Sequence, residues 1–242
     1  MIKHLHIGRS DIIGRYYASL PNTLVISHNE LSTIRDIEFS IVSISAFNPA
    51  RKNEIIRADD FIDQLCQSLP LKCNVIYFSS ARVLDFELRE RHAAYVDNKN
   101  SDEMRLREFF PDLSVVYLPL ILPLCYSDKN FFFETFFKNL KAGSVVFDVA
   151  PDSSWNFIHP SDLKFLIQKA HLLAKKQLLV SRRSFTGHDF VRFARHLVKV
   201  ESVEFGSGIY QYPVNSDIKT LYGKFDFFKN FDWLDLLHRM YK

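Results

Sequence analysis

Glycine is scarce in this chain, with 7 residues in 242, and no segment is long and apolar enough to cross a bilayer. The longest apolar run, Val115 to Tyr126, is short and broken by prolines, whereas a membrane-spanning helix needs about 20 apolar residues. His4, His6 and Asp11 interrupt the N-terminal segment, so it lacks the pattern of a signal peptide. These absences predict a protein with no membrane span.

Cysteine is also rare, and the net charge is low. Cys66, Cys73 and Cys125 have no motif spacing, and an odd count without a signal peptide predicts reduced thiols in a cytoplasmic protein. No Cys-x-x-Cys or His-x-x-x-His pair suggests zinc. The formal net charge of +3 is mild, and Lys and Arg are scattered rather than clustered. A nucleic-acid partner is therefore not expected.

Short apolar runs alternate with helical patterns along the first half of the chain. The predicted strands are Lys3–Ile7, Thr23–Ser27, Phe39–Ala46, Asn74–Ser79 and Leu113–Leu118. The predicted helices are Ile12–Leu20, Ile55–Ser68 and Asn98–Phe110. Near-continuous apolar strands that alternate with helices predict an α/β protein with a doubly wound parallel sheet covered on both faces.

The first predicted strand leads into a turn that carries Gly8 and Gly14, and a helical pattern follows. Strand, glycine turn and helix form the arrangement in which a helix N-terminus meets a phosphate.

A second motif combines Ser80 with Tyr95 and Lys99, which stand four residues apart. Residues i and i+4 share one face of a helix, so the Lys99 ammonium is expected beside the Tyr95 phenol, where it lowers the pKa of that phenol. Such a phenol is an acid or base near neutrality. The spacing alone is also common on exposed helix faces. A Ser-His-Asp hydrolase is disfavoured, because Ser80 lacks the Gly-x-Ser-x-Gly turn.

In this order, the motifs resemble the extended short-chain dehydrogenase/reductase family, on its nucleotide-sugar epimerase, dehydratase and reductase branch. They are the Gly8–Gly14 turn, Ser79-Ser80, Tyr95 to Lys99, and the segment from Phe157 to Asp162. The resemblance covers about the first two thirds of the chain. It implies a Rossmann-type fold, Tyr95 as catalytic acid/base, Lys99 holding the ribose, and Ser80 orienting the substrate oxygen. The family's Val-Tyr pair after this serine is here Val83-Leu84.

The resemblance also implies a bound NADP or NAD. The residues expected to contact it are Gly8, Arg9, Ser10, Asp11, Ile12, Ile13, Gly14, His28, Ala46 and Lys99. No acidic residue for a ribose hydroxyl is evident at Ser27, His28 or Asn29. Because Arg9 and Arg15 lie in or near the turn, NADP is slightly favoured.

Asp11 departs from the family pattern, which usually has a middle glycine at this position. A carboxylate facing a pyrophosphate is repelled by about 4 kcal/mol at contact for an effective dielectric near 20. Alternatively, Asp11 points to solvent, or it caps the following helix. The sequence leaves these three arrangements open.

The later part of the chain is predicted to join the sheet to a small substrate lobe. The expected boundaries are 1–183 for the dinucleotide-binding domain, with the crossover 127–157 joining the lobe, and 184–242 for the lobe itself. We expect a helix over Ser161–Ala174, a strand over Gln177–Ser181, and a helix capped by Thr186 with Asp189. The phenylalanine-rich segment 131–137 indicates a lobe core, a homodimer interface or ordinary packing within the monomer.

Two functional hypotheses follow. The first is an NAD(P)-dependent oxidoreductase or epimerase that acts on a nucleotide-linked sugar, and intact Tyr95, Lys99 and Ser80 favour it. The second is a non-catalytic binding or assembly protein with the same fold. Asp11, Leu84 and the short C-terminal segment favour the second hypothesis.

Overall fold

Seven parallel strands form the central sheet of the computed structural model. The structure describes residues 3–9, 11–34, 37–45, 58–69, 72–84, 93–122, 131–182, 184–209 and 218–224. The sheet strands are β1 (His4–Ile7), β2 (Thr23–Ile26), β3 (Ile41–Ser45), β4 (Asn74–Ser80), β5 (Ser114–Leu118), β9 (Lys176–Val180) and β12 (Lys219–Tyr222). Their order is β12-β9-β5-β4-β3-β1-β2, and every neighbouring pair is parallel. The predicted doubly wound parallel sheet is confirmed.

Helices cover both faces of the sheet, and each face has its own hydrophobic core. The helices are α1 (Ile12–Ala18), α2 (Ala58–Ser68), α3 (Ala93–Phe109), α4 (Phe131–Lys141), α5 (Ser161–Gln168) and α6 (Gly187–Leu197). One core includes Leu65 of α2 and Leu106 of α3, and the other includes Ile13 of α1 and Leu163 of α5. Helix α3 begins before the predicted Asn98, so Tyr95 and Lys99 lie on one helix.

A third core lies outside the central sheet. It is formed by α4, α6 and the small strands β6 (Leu120–Ile121), β7 (Ser144–Val149), β8 (Ser154–Ile158), β10 (Ser184–Thr186) and β11 (Ser202–Gly208). Phe133, Phe136, Phe147, Trp155 and Phe190 are buried there. Phe132, Phe133, Phe136 and Phe137 of the phenylalanine-rich segment thus pack within the monomer. Strand β12 extends the seven-stranded sheet, although it follows the predicted boundary at residue 183.

Local sequence signals account for several element ends. Thr186 caps α6 and forms a capping box with Asp189, as expected. Gly143, with a φ of 74°, closes α4 through a hydrogen bond from its N–H to the Leu140 carbonyl. Helix α5 is shorter than predicted, because Lys169 leaves helical geometry and a short 3-10 turn follows over Ala170–Leu172.

Two histidines of β1 are buried beneath α1. His4 and His6 are 3% and 0% exposed, and both rings contact Tyr17 edge to face at 4.8 and 4.9 Å. The Ser43 hydroxyl of the neighbouring strand hydrogen-bonds both rings. Its Oγ lies 2.7 Å from His4 Nε2 and 2.8 Å from His6 Nδ1. Burial lowers the pKa of His4 to about 4 and, with the neighbouring His4, the pKa of His6 to about 3.

We expect stability to fall as the pH drops below about 6.5. The unfolded histidines have a pKa near 6.5, so the unfolded chain takes up protons before the folded chain does. The neutral histidines therefore make their full contribution to the free energy of unfolding above pH 6.5. That free energy falls by up to about 2 kcal/mol per histidine between pH 6.5 and 5. Urea unfolding from pH 8 to 5 measures this slope. The variant His4→Asn/His6→Asn should flatten it, and an equally steep slope in that variant would contradict the assignment.

Candidate functional site

The turn between β1 and α1 admits side chains at neither of its glycines. Gly8 has a φ of 140°, and a Cβ there would lie 1.8 Å from the Ser45 Oγ. A Cβ on Gly14 would lie 1.9 Å from the Gly8 carbonyl oxygen. The first turn of α1 is therefore packed directly on the loop. This loop lies at the carboxyl ends of β1 and β3, where the strand order reverses and doubly wound sheets bind ligands.

Asp11 caps helix α1. Its backbone is extended, with φ −92° and ψ 173°, and its Oδ1 accepts a hydrogen bond from the Gly14 N–H at 2.6 Å. Burial raises the pKa of Asp11, while hydrogen bonding to Ser45 and to the Gly14 N–H and the charges of Lys99 and Arg15 oppose that rise. Of the arrangements left open by the sequence, the structure adopts the helix cap.

Tyr95, Ser80 and Lys99 converge beyond the carboxyl end of β4. Ser80 ends that strand, and its hydroxyl is close enough to the Tyr95 hydroxyl of α3 to lower the pKa of that phenol. The Ser80 Oγ accepts a hydrogen bond from the Arg82 N–H at 3.3 Å, so its own hydrogen can still be donated. The Lys99 Nζ lies 5.5 Å from the centre of the Tyr95 ring. The structure thus brings together the three side chains that the sequence motif singles out.

The expected lowering of the Tyr95 pKa is wrong for this structure. Burial raises the pKa of Tyr95, and the Ser80 hydrogen bond and the charge of Arg82 offset only part of that rise. Burial removes water that would stabilise the phenolate. Ser80 and Arg82 stabilise the phenolate less than that lost water would. Tyr95 is therefore a neutral hydroxyl at physiological pH, which can donate its proton.

Lys99 is buried at 6% exposure and is supported by groups that the sequence motif does not contain. Burial lowers the pKa of Lys99 to about 8, against the opposing charges of Asp102 and Asp11. The Lys99 Nζ also lies 5.9 Å from the Tyr77 ring, whose hydroxyl donates to Asp102 Oδ2 at 3.2 Å. Lys99 therefore remains mostly protonated at neutral pH.

Arg9 is paired with an acidic residue that the sequence pattern did not indicate. Its Nη1 lies 3.0 Å from Glu30 Oε1, and its Nη2 donates to the Val25 carbonyl at 2.9 Å. Glu30 Oε2 accepts a hydrogen bond from the Ser27 N–H at 2.7 Å, so the carboxylate is fixed at the end of β2. Hydrogen bonding to Ser27 lowers the pKa of Glu30. The family pattern places a ribose-binding acid at one of residues 27 to 29. Glu30 lies one position beyond them.

The remaining expected residues differ in how far the structure describes them. Ile12 and Ile13 begin α1, and the Ile13 side chain packs in the core beneath that helix. His28 begins a short 3-10 helix after β2. Ser10 and Ala46 lie outside the described residues. In the Phe157–Asp162 segment, the His159 Nδ1 hydrogen-bonds the Ser161 hydroxyl at 2.7 Å, and Asp162 Oδ1 accepts from the Lys224 N–H at 2.7 Å.

The described part of the chain offers neither a metal site nor a membrane span. No group of three or more His, Cys, Asp or Glu residues there could hold a metal ion. Among the same residues, no helix has the length and hydropathy needed to cross a membrane.

Comparison with solved structures identifies the fold. The chain superimposes on UDP-N-acetylglucosamine 4-epimerase from Bacillus cereus with a TM-score of 0.68 and 11% identity, over 100% of both chains. For the GDP-mannoheptose C4 reductase MlghC from Campylobacter jejuni, solved with NADP bound, the TM-score is 0.69 at 12% identity, over 99% of this chain and 97% of that one. For a dTDP-4-dehydrorhamnose reductase from Yersinia enterocolitica, the TM-score is 0.64 at 15% identity, over 99% of this chain and 100% of that one.

No family model matches the sequence, and no curated protein does so either. These structural matches are all far below 25% identity, so what they establish is the fold. The Rossmann-type architecture that the sequence resemblance implies is confirmed.

Proposed function

We propose that this protein is an NAD(P)-dependent oxidoreductase or epimerase that acts on a nucleotide-linked sugar. The observation that carries the proposal is the placement of the Lys99 Nζ 5.5 Å from the centre of the Tyr95 ring, with Ser80 at the end of β4 near the same phenol. These groups lie at the carboxyl edge of a doubly wound sheet, near the tight Gly8 turn. The epimerase and the two reductases that share this fold are named for nucleotide-sugar substrates, which supports the substrate class.

The residues present fit a dinucleotide. Gly8 lies at the carboxyl end of β1, beside the point where the strand order reverses and where doubly wound sheets bind ligands. Asp11, the residue that argued against such a ligand, directs its carboxyl group to the Gly14 N–H. Lys99 supplies a buried cation whose charge acts on Asp11. When bound, the nicotinamide would supply hydride chemistry.

In this proposal, Tyr95 moves the proton at the substrate oxygen. Its raised pKa keeps the phenol protonated, so it donates to a carbonyl oxygen that gains negative charge during reduction. Ser80, at the end of β4, orients the same oxygen. Lys99 holds a ribose hydroxyl and supplies the positive charge that a transient Tyr95 phenolate needs.

Titration with NADPH and NADH tests the proposal first. Nicotinamide fluorescence should saturate with at least one of them, and a panel of UDP-, GDP- and dTDP-linked sugars with the preferred dinucleotide should yield a reduced or epimerised product. The alternative is a non-catalytic binding or assembly protein with this fold. Absence of binding by both dinucleotides would establish that alternative over the enzyme.

Glu30→Gln should shift the preference toward NADPH. In the structure Glu30 pairs with Arg9, so the guanidinium is not free for a 2′-phosphate, and the carboxylate itself repels one. Removal of this charge should tighten NADPH binding relative to NADH by roughly tenfold, the equivalent of 1.4 kcal/mol. The exposed Glu38→Gln makes the same change in net charge and should leave the ratio unaltered. An equal effect of both variants would show a general charge effect instead.

A further inference from the structure

The face of α3 that meets the sheet includes charged groups where a helix in this position usually has apolar ones. Tyr95, Lys99 and Asp102 stand at positions i, i+4 and i+7, so they lie on one face of the helix. Lys99 is 6% exposed, and Asp102 is half-buried. Apolar side chains would fill this face without the cost of burying charge, so the two charged residues indicate a role other than packing.

Tyr77 of β4 lies against both of these charged residues. Its ring centre is 5.9 Å from the Lys99 Nζ, and its hydroxyl donates a hydrogen bond to Asp102 Oδ2 at 3.2 Å. Tyr77 is 1% exposed, and burial together with the charge of Asp102 raises the pKa of its phenol well above 10. The phenol therefore keeps its hydrogen at neutral pH, and it holds the Asp102 carboxylate on the side of α3 that carries Lys99.

The charge of the Lys99 ammonium depends on nearby carboxylates. Burial lowers the pKa of Lys99 to about 8, and the charges of Asp102 and, to a smaller extent, Asp11 oppose that fall. Asp11 caps α1 and accepts from the Gly14 N–H, whereas Asp102 lies about one turn along α3 from Lys99. A buried lysine without such support can have a pKa of about 5 to 6 and is then neutral at pH 7.

Glu103, the acid next to Asp102 in the chain, has other cations beside it. Its Oε1 lies 2.8 Å from Lys176 Nζ and 3.2 Å from Arg107 Nε, and its Oε2 accepts from the Tyr117 hydroxyl at 2.9 Å. Two cations thus balance the charge of Glu103. The two adjacent acids of α3 are each held by a tyrosine of the sheet, but they serve different cations.

We propose that Asp102, held by Tyr77, is a positioning residue of the candidate site that acts through Lys99. Its negative charge keeps Lys99 as an ammonium, which is the form that stabilises a transient Tyr95 phenolate. The ammonium is also the form that has three hydrogens to donate to a ribose hydroxyl. This role rests on the proposed function, in which Lys99 holds the ribose of the dinucleotide.

The titration of Lys99 tests this charge balance without any ligand. In protein labelled with ¹³C in its lysine side chains, the Cε resonance that is missing from Lys99→Met identifies Lys99. Asp102→Asn removes the charge but keeps an oxygen that can accept from the Tyr77 hydroxyl. It should lower the pKa of Lys99 by about one pH unit from its value near 8, because an opposite charge close by favours the ammonium.

Two matched controls separate this role from general effects of charge and packing. Asp97→Asn makes the same change at an exposed position of α3, two residues from Lys99 and on another face, and should leave the pKa of Lys99 unaltered. Tyr77→Phe frees the Asp102 carboxylate and should lower that pKa by a smaller amount, whereas Tyr117→Phe on the next strand should not change it. An unchanged pKa of Lys99 in Asp102→Asn, or equal changes in the two tyrosine variants, would overturn the proposal.

The pH dependence of dinucleotide binding tests the positioning role. If binding requires the Lys99 ammonium, affinity falls as the pH rises through the pKa of Lys99, and a lower pKa moves that fall to lower pH. For a pKa lowered by one unit from 8, Asp102→Asn should bind the preferred dinucleotide about fivefold more weakly than the wild type at pH 8 and about equally at pH 6. Weakening by the same factor at both pH values would show a merely structural effect and overturn the positioning role.

The two experiments fail in different ways. If the wild type binds neither NADPH nor NADH, the proposed function fails and the positioning role fails with it. The titration of Lys99 in the wild type and in Asp102→Asn still decides whether Asp102 is the residue that keeps Lys99 charged.

Discussion

Tyr95→Phe should lower turnover by about 100- to 10,000-fold, the usual contribution of a positioned acid or base. The change removes only the phenolic oxygen, which lies near Ser80 and would donate to the substrate carbonyl. The ring remains, so the contact with the Lys99 ammonium persists. Dinucleotide affinity should accordingly stay within about twofold of the wild type, since a loss confined to turnover reports an interaction made in the transition state.

The measurement is single-turnover oxidation of NADPH with the nucleotide sugar that gives the fastest reaction. Tyr222→Phe makes the same chemical change at an exposed tyrosine of β12. It should leave both turnover and dinucleotide affinity unaltered. Full activity in Tyr95→Phe would remove Tyr95 from the mechanism. A parallel loss of dinucleotide affinity would instead show that the phenol supports the architecture of the site.

The architecture of the sheet was predictable because its signals are local and repeated. Buried parallel strands are apolar runs, and each lies between helices whose spacing places apolar residues on one face. The small strands β7 and β8 were missed, because they lie in a crossover where aromatic residues such as Phe147 and Trp155 occur without the regular alternation of helices. Strand β12 was missed because it pairs with β9, about 40 residues earlier in the chain, and no local pattern encodes that contact.

The central residues of the candidate site were predictable from motif spacing, but their protonation states were not. Spacing placed Tyr95 and Lys99 on one helix face, whereas the pKa of Tyr95 depends on burial by residues distant in sequence. Ser43 and Ser45 alternate along β3 in step with His4 and His6 along β1. This matched alternation could have been recognised in the sequence. Polar residues at every second position of two adjacent buried strands lie on the same face and must hydrogen-bond one another.

Gly8→Ala should destabilise the protein by about 3 to 5 kcal/mol, a large loss for one added methyl group, through backbone strain and overpacking together. The φ of 140° is one that L side chains rarely adopt, and the new Cβ would lie 1.8 Å from Ser45 Oγ. Relief requires either a shift of β3, which carries Ser45, or a rotation of the turn. Urea unfolding should show the loss, and dinucleotide binding should disappear in whatever fraction remains folded.

Gly143→Ala provides the matched control, because Gly143 also has a positive φ, at 74°, but its surroundings are open. The nearest atom to an added Cβ is Glu201 Cγ at 3.4 Å, on a flexible side chain at the surface. The cost there is the left-handed conformation alone, about 1 kcal/mol. The difference between the two variants measures the clash with Ser45 separately from backbone strain. Equal destabilisation by both would mean that the Gly8 turn has room for a side chain, contrary to its packing against Ser45.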